Sequence, residues 1–482
     1  MNTPLRRVAG FAVVLLLALI ANLSFVQVIG ANNLRQKPGN SRTVLSEYDR
    51  ARGPMTVGNK AVAASVPTNG QFAYVRTYAN GPLYAHTTGY YSLLYGASGL
   101  ERAENSVLAG TDDRLLVDRL TQLLAGRAPA GGSVQTTLLP AAQRAAAEGL
   151  AGRRGAVVAL DPATGAILAM VSSPSFDPNL LASPQTSVER EAWTKLTNDP
   201  ASPLLNRSLA QVYPPGSTFK LVTAAAALST GKYTKDSVIP GPATLKLPLS
   251  NNRLPNENGK ACGPGNKTTL ENALRISCNT AFASLGLAIG NDAIAQQAEK
   301  FGFNQSFSVP LNSATSNYPL DADRPQTALS AIGQFDVRST VLQMALVAAG
   351  IGNSGVVMQP YLVARTRGPD LAILDEVTPT PFGRAVTTEV AGQLRDMMVT
   401  VVAKGTGRRA AIKGVKVAGK TGTAQQGNGR PPHAWFVSFA PADKPTVAVA
   451  VIVEDGGGAT EISGGRLAAP IARAVMKAVL GR

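Results

Sequence analysis

A serine and a lysine three residues apart, Ser217 and Lys220, stand in the stretch "VYPPGSTFK". A serine hydroxyl is a weak nucleophile that needs a neighbouring base. Residues three apart on a helix share a face, so this spacing points a hydroxyl and an amine into one space. The chemistry open to such a pair is nucleophilic attack by the serine with the lysine as its base. Ser229 and Lys232, twelve residues on in "STGK", repeat the spacing, and a chain this long should show about one such match by chance. Position separates the two. Pro214-Pro215-Gly216 predicts a helix starting at about Ser217, at the positive pole where developing negative charge is stabilised. Gly231 stops that helix between Ser229 and Lys232, which then share no helical face.

A nucleophile needs partners. Two Ser-x-Asn triplets exist, Ser250-Asn251-Asn252 and Ser277-Cys278-Asn279. The first lies in a Pro/Asn-rich loop. The second falls between the helical stretches "LENALRIS" and "TAFASLGLAIG", where a loop between packed helices can hold polar groups against a site; it is the favoured one. One Lys-Thr-Gly exists, Lys420-Thr421-Gly422, followed by Thr423 in the strand-like run "VKVAGKTGTAQ". Thr421 and Thr423 share one side of a strand and can offer two hydroxyls to a carboxylate. Gly422 lets a ligand backbone come close.

The elements that must carry these groups follow from local patterning. Residues 31 to about 60 read as an extended polar stem, 70 to 130 as short mixed segments with a helix near Asp112 to Ala125. A Gly/Pro/Ala-rich stretch at 124–134 marks a boundary. "SVQTTLL" reads as a strand, and a helix starts at Pro140. In "GAVVALDPATGAILAMVSSP" two apolar runs flank a turn signal, which predicts a hairpin. Residues 217–350 are read as mostly helical. After about 415 come the strands "VKVAGKTGTAQ", "AWFVSFAP" and "PTVAVAVIVE", then the helix "GRLAAPIARAVMKAVLG". This order implies an α/β (α+β) domain, an antiparallel sheet with helices on its faces.

At 482 residues the chain is long enough for two or three domains. Its formal charge of +16 suggests a polyanionic neighbour, yet the basic residues are scattered and aromatics make up 5%, so no nucleic-acid partner is expected. Two histidines, His86 and His433, and two cysteines, Cys262 and Cys278, are too few for a zinc cluster; no metal or cofactor is expected. Arg6 and Arg7 precede an apolar run long enough to cross a bilayer, which predicts an uncleaved anchor with a cytoplasmic N-terminus rather than a cleaved signal peptide. Outside, the cysteines either pair or stay as two free thiols; spacing alone leaves both open.

Ser-x-x-Lys, Ser-x-Asn and Lys-Thr-Gly in this order resemble the signature of penicillin-binding proteins and serine β-lactamases. "GAVVALDPATGAILAMVSSPSFDPN", "GTGRRAAIKGVKVAGKTGTAQ" and "HAWFVSFAP" resemble landmarks of the transpeptidase domain. Arg52-Gly53 and "SGLERAENSVLAG" resemble the non-catalytic N-terminal region of the class B, monofunctional type, in its actinobacterial A-type branch. Cys278 replaces the aspartate of the Ser-Asp-Asn form. The resemblance implies a penicillin-binding transpeptidase domain over 133–482 with a five-stranded antiparallel sheet, a smaller pedestal-like region over 31–132, and a tip and anchor over 1–30. It implies cross-linking of peptidoglycan stem peptides and acylation by β-lactam antibiotics. Ser217 would be the nucleophile, Lys220 its base, Ser277 a proton relay, and Asn279 a holder of substrate or Lys220. Lys420 would supply positive potential, Thr421, Gly422 and Thr423 would bind substrate, and the N–H groups of Ser217 and Thr423 would form the oxyanion hole. Partners would be the plasma membrane and divisome proteins. The rivals are a D,D-carboxypeptidase, a serine β-lactamase, a penicillin sensor, and a division scaffold with a decayed site. A sensor would carry signalling segments across the membrane, where only about seven residues precede the anchor.

Overall fold

The computed structural model describes residues 2–30, 48–115, 121, 124, 130–427, 429–459 and 461–482. From the N-terminus come helix α1 (Asn2–Ser24), strands β1 (Met55–Val57), β2 (Lys60–Pro67), β3 (Tyr74–Tyr78) and β4 (Ser133–Thr136), helix α2 (Pro140–Leu150), and strands β5 (Gly155–Leu160) and β6 (Ile167–Ser173). Helices α3 (Lys220–Ser229), α4 (Leu270–Ile276), α5 (Asn279–Ile289) and α6 (Val341–Gly352) follow. Strands β7 (Val363–Arg367) and β8 (Ile373–Glu376), helix α7 (Thr388–Lys404), strands β9 (Ala418–Ala424), β10 (His433–Ala440) and β11 (Val447–Val453), and helix α8 (Gly464–Val479) complete the frame.

The domain that holds the three motifs is built on a five-stranded sheet, β9-β10-β11-β5-β6, with every pair antiparallel. The hairpin read from "GAVVALDPATGAILAMVSSP" forms its β5–β6 edge, with Val157 opposite Val171. Strand period sends alternate residues to opposite faces. In β11, Val447, Val449, Val451 and Val453 pack with Ala468, Ala472 and Val475 of α8 and Ala142 and Ala146 of α2. Ala448, Ala450 and Ile452 face the other way, into the larger core with α6. Helix α6, "VLQMALVAAGIG", is apolar on nearly every side because it is buried along nearly its whole length.

Residues 217–350 are less continuously helical than expected. Between α3 and α4, the strand pieces Val238–Pro240 and Lys267–Thr269 pair, as do Thr244–Lys246 and Arg253–Pro255. Proline, glycine and asparagine in this stretch break helix and favour turns. The rejected triplet sits here. Its hydroxyl is used locally, with the Asn252 N–H donating to Ser250 Oγ at 3.0 Å.

A second sheet, β8-β7-β4-β1-β2-β3, joins strands of residues 55–136 to two from 363–376. β4 pairs in parallel with β1 and antiparallel with β7, so "SVQTTLL" leaves the N-terminal region only after completing its sheet. Glu101 of "SGLERAENSVLAG" is fully buried and takes Arg52 Nε and Arg76 Nε, each at 2.6 Å. The Tyr78 hydroxyl adds a hydrogen bond at 3.1 Å. Burial pushes the Glu101 carboxyl up, but Arg76 and Arg52 outweigh it and hold it below its ordinary value. The two motifs that suggested the N-terminal region are thus one charge cluster. Of the helix expected near Asp112 to Ala125, Asp113–Leu115 forms a 3-10 turn and Thr121 and Leu124 are helical; most of the rest, and residues 31–47 of the stem, lie outside the described residues.

Among the described residues, one helix is long and apolar enough to cross a membrane. It runs over Arg6–Gln27, 22 residues of mean hydropathy 2.5, with none of it buried.

Candidate active site

The helix carrying Lys220 begins later than its proline signal suggested. Ser217 lies in a 3-10 turn, Gly216–Thr218, and the α-helix starts at Lys220. The turn is tightened locally: Phe219 N–H donates to Gly216 O at 2.9 Å and the Thr218 hydroxyl to Pro215 O at 2.7 Å. In a 3-10 turn residues three apart eclipse, so the shared direction of Ser217 and Lys220 survives the change. Gly216 has φ +52°, and a Cβ there would stand 2.8 Å from Thr423 O. A Cβ at Gly333 would stand 2.1 Å from Gly216 O. The turn is therefore pressed between β9 and the segment at Gly333, and only glycine fits at both places. Buried Trp435 donates Nε1–H to Pro214 O at 3.0 Å and holds the approach to the turn.

Four of the residues singled out in the sequence meet behind this turn. Lys220 Nζ donates to Asn279 Oδ1 at 2.7 Å and to Ser277 O at 2.8 Å, and lies 3.4 Å from Ser277 Oγ. Lys420 Nζ donates to the same Ser277 Oγ at 2.8 Å and to Thr421 O at 2.8 Å. One serine hydroxyl thus stands between two amines, 57 and 143 residues away along the chain. Ser217 is half-buried, and its hydroxyl makes no hydrogen bond among the described residues.

Local geometry explains the placement of Ser277. It caps α4 in the left-handed conformation, φ 63° and ψ 41°, a region sparsely used by non-glycine residues and found at functional sites. Cys278 N–H donates back to Ala273 O at 2.8 Å, and α5 then starts at Asn279. Cys278 is bonded to Cys262, so the pairing that spacing left open is made. Asn256, also buried, takes Thr280 N–H on its Oδ1 at 3.0 Å and braces the same loop.

Both lysines are fully buried. Burial, reinforced by the positive charge of Lys420, holds Lys220 well below the ordinary lysine range. Burial lowers Lys420 to about 7. Glu257 opposes the shift at both. An amine so depressed can be neutral near pH 7 and can take a proton.

The strand β9 divides its motif between two faces. A Cβ on Gly422 would meet Thr218 and Pro215, so Gly422, and with it Lys420, faces the serine turn. Thr421 and Thr423 share the opposite face. The Thr421 hydroxyl pairs with that of Thr406 at 2.6 Å, whereas Thr423 is half-buried and its hydroxyl makes no hydrogen bond among the described residues. Sequence reading missed Thr406 and Glu257, and no local spacing marks either one. Ser229 and Lys232 do not form a second site: Ser229 Oγ donates to Gln297 Oε1 at 3.3 Å, and Lys232 is exposed beyond the helix end. His86 is buried against Pro203 O at 2.8 Å, and burial lowers it to about 4. Among the described residues no group of three or more His, Cys, Asp and Glu side chains could hold a metal ion.

Comparison with known proteins agrees with this constellation. The profile of the penicillin binding protein transpeptidase domain matches residues 155–477, and that of the penicillin binding protein A dimerisation domain matches 52–134. The chain is 48% identical to peptidoglycan D,D-transpeptidase PbpA of Mycolicibacterium smegmatis, across 100% of this chain and 99% of that protein. It is 45% identical to PbpA of Mycobacterium tuberculosis over the same shares. It is similar in structure to penicillin-binding protein A of M. tuberculosis in its ceftriaxone acyl-enzyme complex, with a TM-score of 0.88, 45% identity, and coverage of 90% of this chain and 100% of that one. A buried lysine pair around one serine, beside a serine turn on the edge of a five-stranded antiparallel sheet, and these full-length likenesses lead to one conclusion: the chain belongs to the penicillin-binding protein transpeptidase family, with an N-terminal region of the dimerisation type.

Proposed function

We propose that the protein is a peptidoglycan D,D-transpeptidase that works through an acyl-enzyme on Ser217 and is acylated there by β-lactams. The observation that carries the reading is the Ser277 hydroxyl shared by two buried lysines of depressed basicity beside the half-buried Ser217. Neutral Lys220 takes the Ser217 proton as Oγ attacks the penultimate D-Ala carbonyl. The N–H groups of Ser217 and Thr423 hold the oxyanion. The proton passes from Lys220 through Ser277 to the leaving amine, and the C–N bond to the terminal D-Ala breaks. Asn279 holds Lys220 in register, Lys420 attracts the terminal carboxylate, and Thr421 and Thr423, from the other face of β9, receive it over the strand's free edge beside Gly422. An amine of a second stem peptide then attacks the ester, returns a proton to Ser217, and leaves a cross-link.

We read the chain as a tip and anchor over 1–30, a non-catalytic region over 31–132, and the transpeptidase domain over 133–482. The apolar span Arg6–Gln27 and the basic Arg6 and Arg7 at its start support a single-pass protein with a cytoplasmic N-terminus and an extracytoplasmic catalytic domain. Divisome proteins beside the same membrane are the proposed protein partners.

The test supplies a stem-peptide donor ending in D-Ala-D-Ala and an amine acceptor. The expected result is release of D-alanine with formation of the cross-linked product, blocked by benzylpenicillin. Transfer to water alone would replace this reading with a carboxypeptidase, and rapid turnover of bound penicillin with a β-lactamase.

The lysine pair also sets a pH dependence. Lys420 must be charged to attract a carboxylate, and it loses its charge as pH rises through about 7. The second-order acylation rate by benzylpenicillin should therefore fall on the alkaline side with an apparent pKa near that value. Lys420→Arg keeps its charge over the whole range and should lack this limb. A wild-type rate that stays level between about pH 6 and 9 would count against the role given to Lys420.

A further inference from the structure

A cavity of about 680 Å³ opens where β9 ends. Its wall includes Pro214 on the approach to the serine turn and Gln425 and Gln426 just beyond Thr423. It therefore continues the line along which an extended peptide would run away from the reacting carbonyl. Four guanidinium groups border it, those of Arg154, Arg207, Arg338 and Arg430.

The carboxylates nearby do not balance them. Glu454 takes Arg154 Nη2 at 2.7 Å and Arg207 Nε at 2.9 Å, and it accepts the Tyr213 hydroxyl at 2.6 Å. Asp455 lies 3.8 Å from Arg154 and from Arg430. His433 on the wall accepts the Asp455 N–H on Nδ1 at 3.2 Å, and burial holds it below its ordinary value, so it adds no charge. Arg338 is left over. Its Nη1 donates to the carbonyls of Phe335 at 2.7 Å and Val337 at 3.0 Å, and no carboxylate among the described residues pairs with it. Those two bonds hold the side chain, and the segment itself is tied to Tyr213 through Ser339. A fixed, half-buried guanidinium without a carboxylate suits planar recognition of one.

We propose that this cavity is a subsite for an anionic side chain on the residue preceding the D-Ala-D-Ala of the donor stem peptide, with Arg338 selecting its carboxylate. The proposal rests on the transpeptidase reading above. A strand rises about 3.4 Å per residue. With the acylated D-Ala at Thr423, the residue before it lies opposite Ala424, next to Gln425 on the cavity wall, and a side chain of several atoms reaches the cavity. Arg338 acts on binding and orientation, not on the bonds that change.

The test uses two donors, Xaa–D-Ala–D-lactate, identical except that the Xaa side chain ends in a carboxylate or in a carboxamide. In each, Ser217 Oγ bonds to the carbonyl carbon, the ester C–O bond breaks, and the proton leaves with D-lactate; water then frees the enzyme. The expected result is a kcat/KM for lactate release that favours the carboxylate donor about tenfold or more, the scale of a hydrogen bond to a charged group. Arg338→Gln should bring that ratio to about one, Arg338→Lys should keep part of it, and Arg430→Gln should lower it less. Labelling by benzylpenicillin verifies that each variant is folded. A wild-type ratio near one, or an unchanged ratio in Arg338→Gln, overturns the subsite. Equal release from both donors by a protein that penicillin labels overturns the subsite alone. Absence of both release and labelling overturns the transpeptidase reading with it.

Discussion

Ser217→Ala is expected to abolish covalent labelling by a fluorescent penicillin while leaving the fold intact. The effect should reach the assay background, a loss of roughly 10⁶-fold, because removing a nucleophile removes the step itself. The other two motif serines are engaged elsewhere. The Ser277 hydroxyl is held between Lys220 and Lys420, and Ser229 donates to Gln297 at the far end of α3. Stability should barely change. The Ser217 hydroxyl makes no hydrogen bond among the described residues and is half-buried, so its loss should stay within about 0.5 kcal/mol. A melting temperature within a degree or two of the parent, with no labelled band, is the expected pair of readings. A labelled alanine variant would show that the acyl group sits elsewhere.

Lys220 carries the second large effect. Lys220→Met keeps the volume of a fully buried side chain and removes the base. Acylation by penicillin should fall by about 10³ to 10⁴, the range of general base catalysis. Lys220→Arg should fail as well, because a guanidinium does not give up its proton in this range. The thermal outcomes should differ from the kinetic ones. Methionine removes a buried amine whose charged form is disfavoured by burial and by Lys420, while leaving Asn279 Oδ1 and Ser277 O without that donor. These terms oppose each other, so the melting temperature of Lys220→Met should stay close to the parent. Stopped-flow acylation rates and calorimetry together check the prediction. An arginine variant that acylates within tenfold of wild type would remove Lys220 from the role of base.

The way Lys220 is held also bears on mechanism. In this structure its three close partners are Ser277 O, Ser277 Oγ and Asn279 Oδ1, none of them on Ser217. The base is oriented by the second motif before it meets the first. Hydrogen bonds of a catalytic pair are often loose without substrate and tighten in the complex. The short link from Lys220 through Ser277 to Lys420 keeps the two amines close, and the charge of Lys420 is one cause of the lowered basicity of Lys220.

Much was legible in the sequence because it depends on neighbours along the chain. The Pro-Pro-Gly before Ser217, the Asp-Pro-Ala-Thr-Gly turn between two apolar runs, and the apolar span after Arg6 and Arg7 are local signals with local causes. The order of the Ser-x-x-Lys, Ser-x-Asn and Lys-Thr-Gly motifs pointed to the family for the same reason. Tertiary structure decided the rest. It placed the Ser277 hydroxyl between amines on α3 and β9, and paired Cys262 with Cys278. It set Thr406 against Thr421 across 15 residues of chain. It also gave β4 and β7 to the sheet of the N-terminal region, and left Arg338 without a carboxylate among the described residues. These depend on which distant groups share a small volume, on how much water is excluded from it, and on which charges then oppose one another. Periodicity and turn chemistry report a residue's own backbone; the basicity of Lys220 and Lys420 is a property of the site they share.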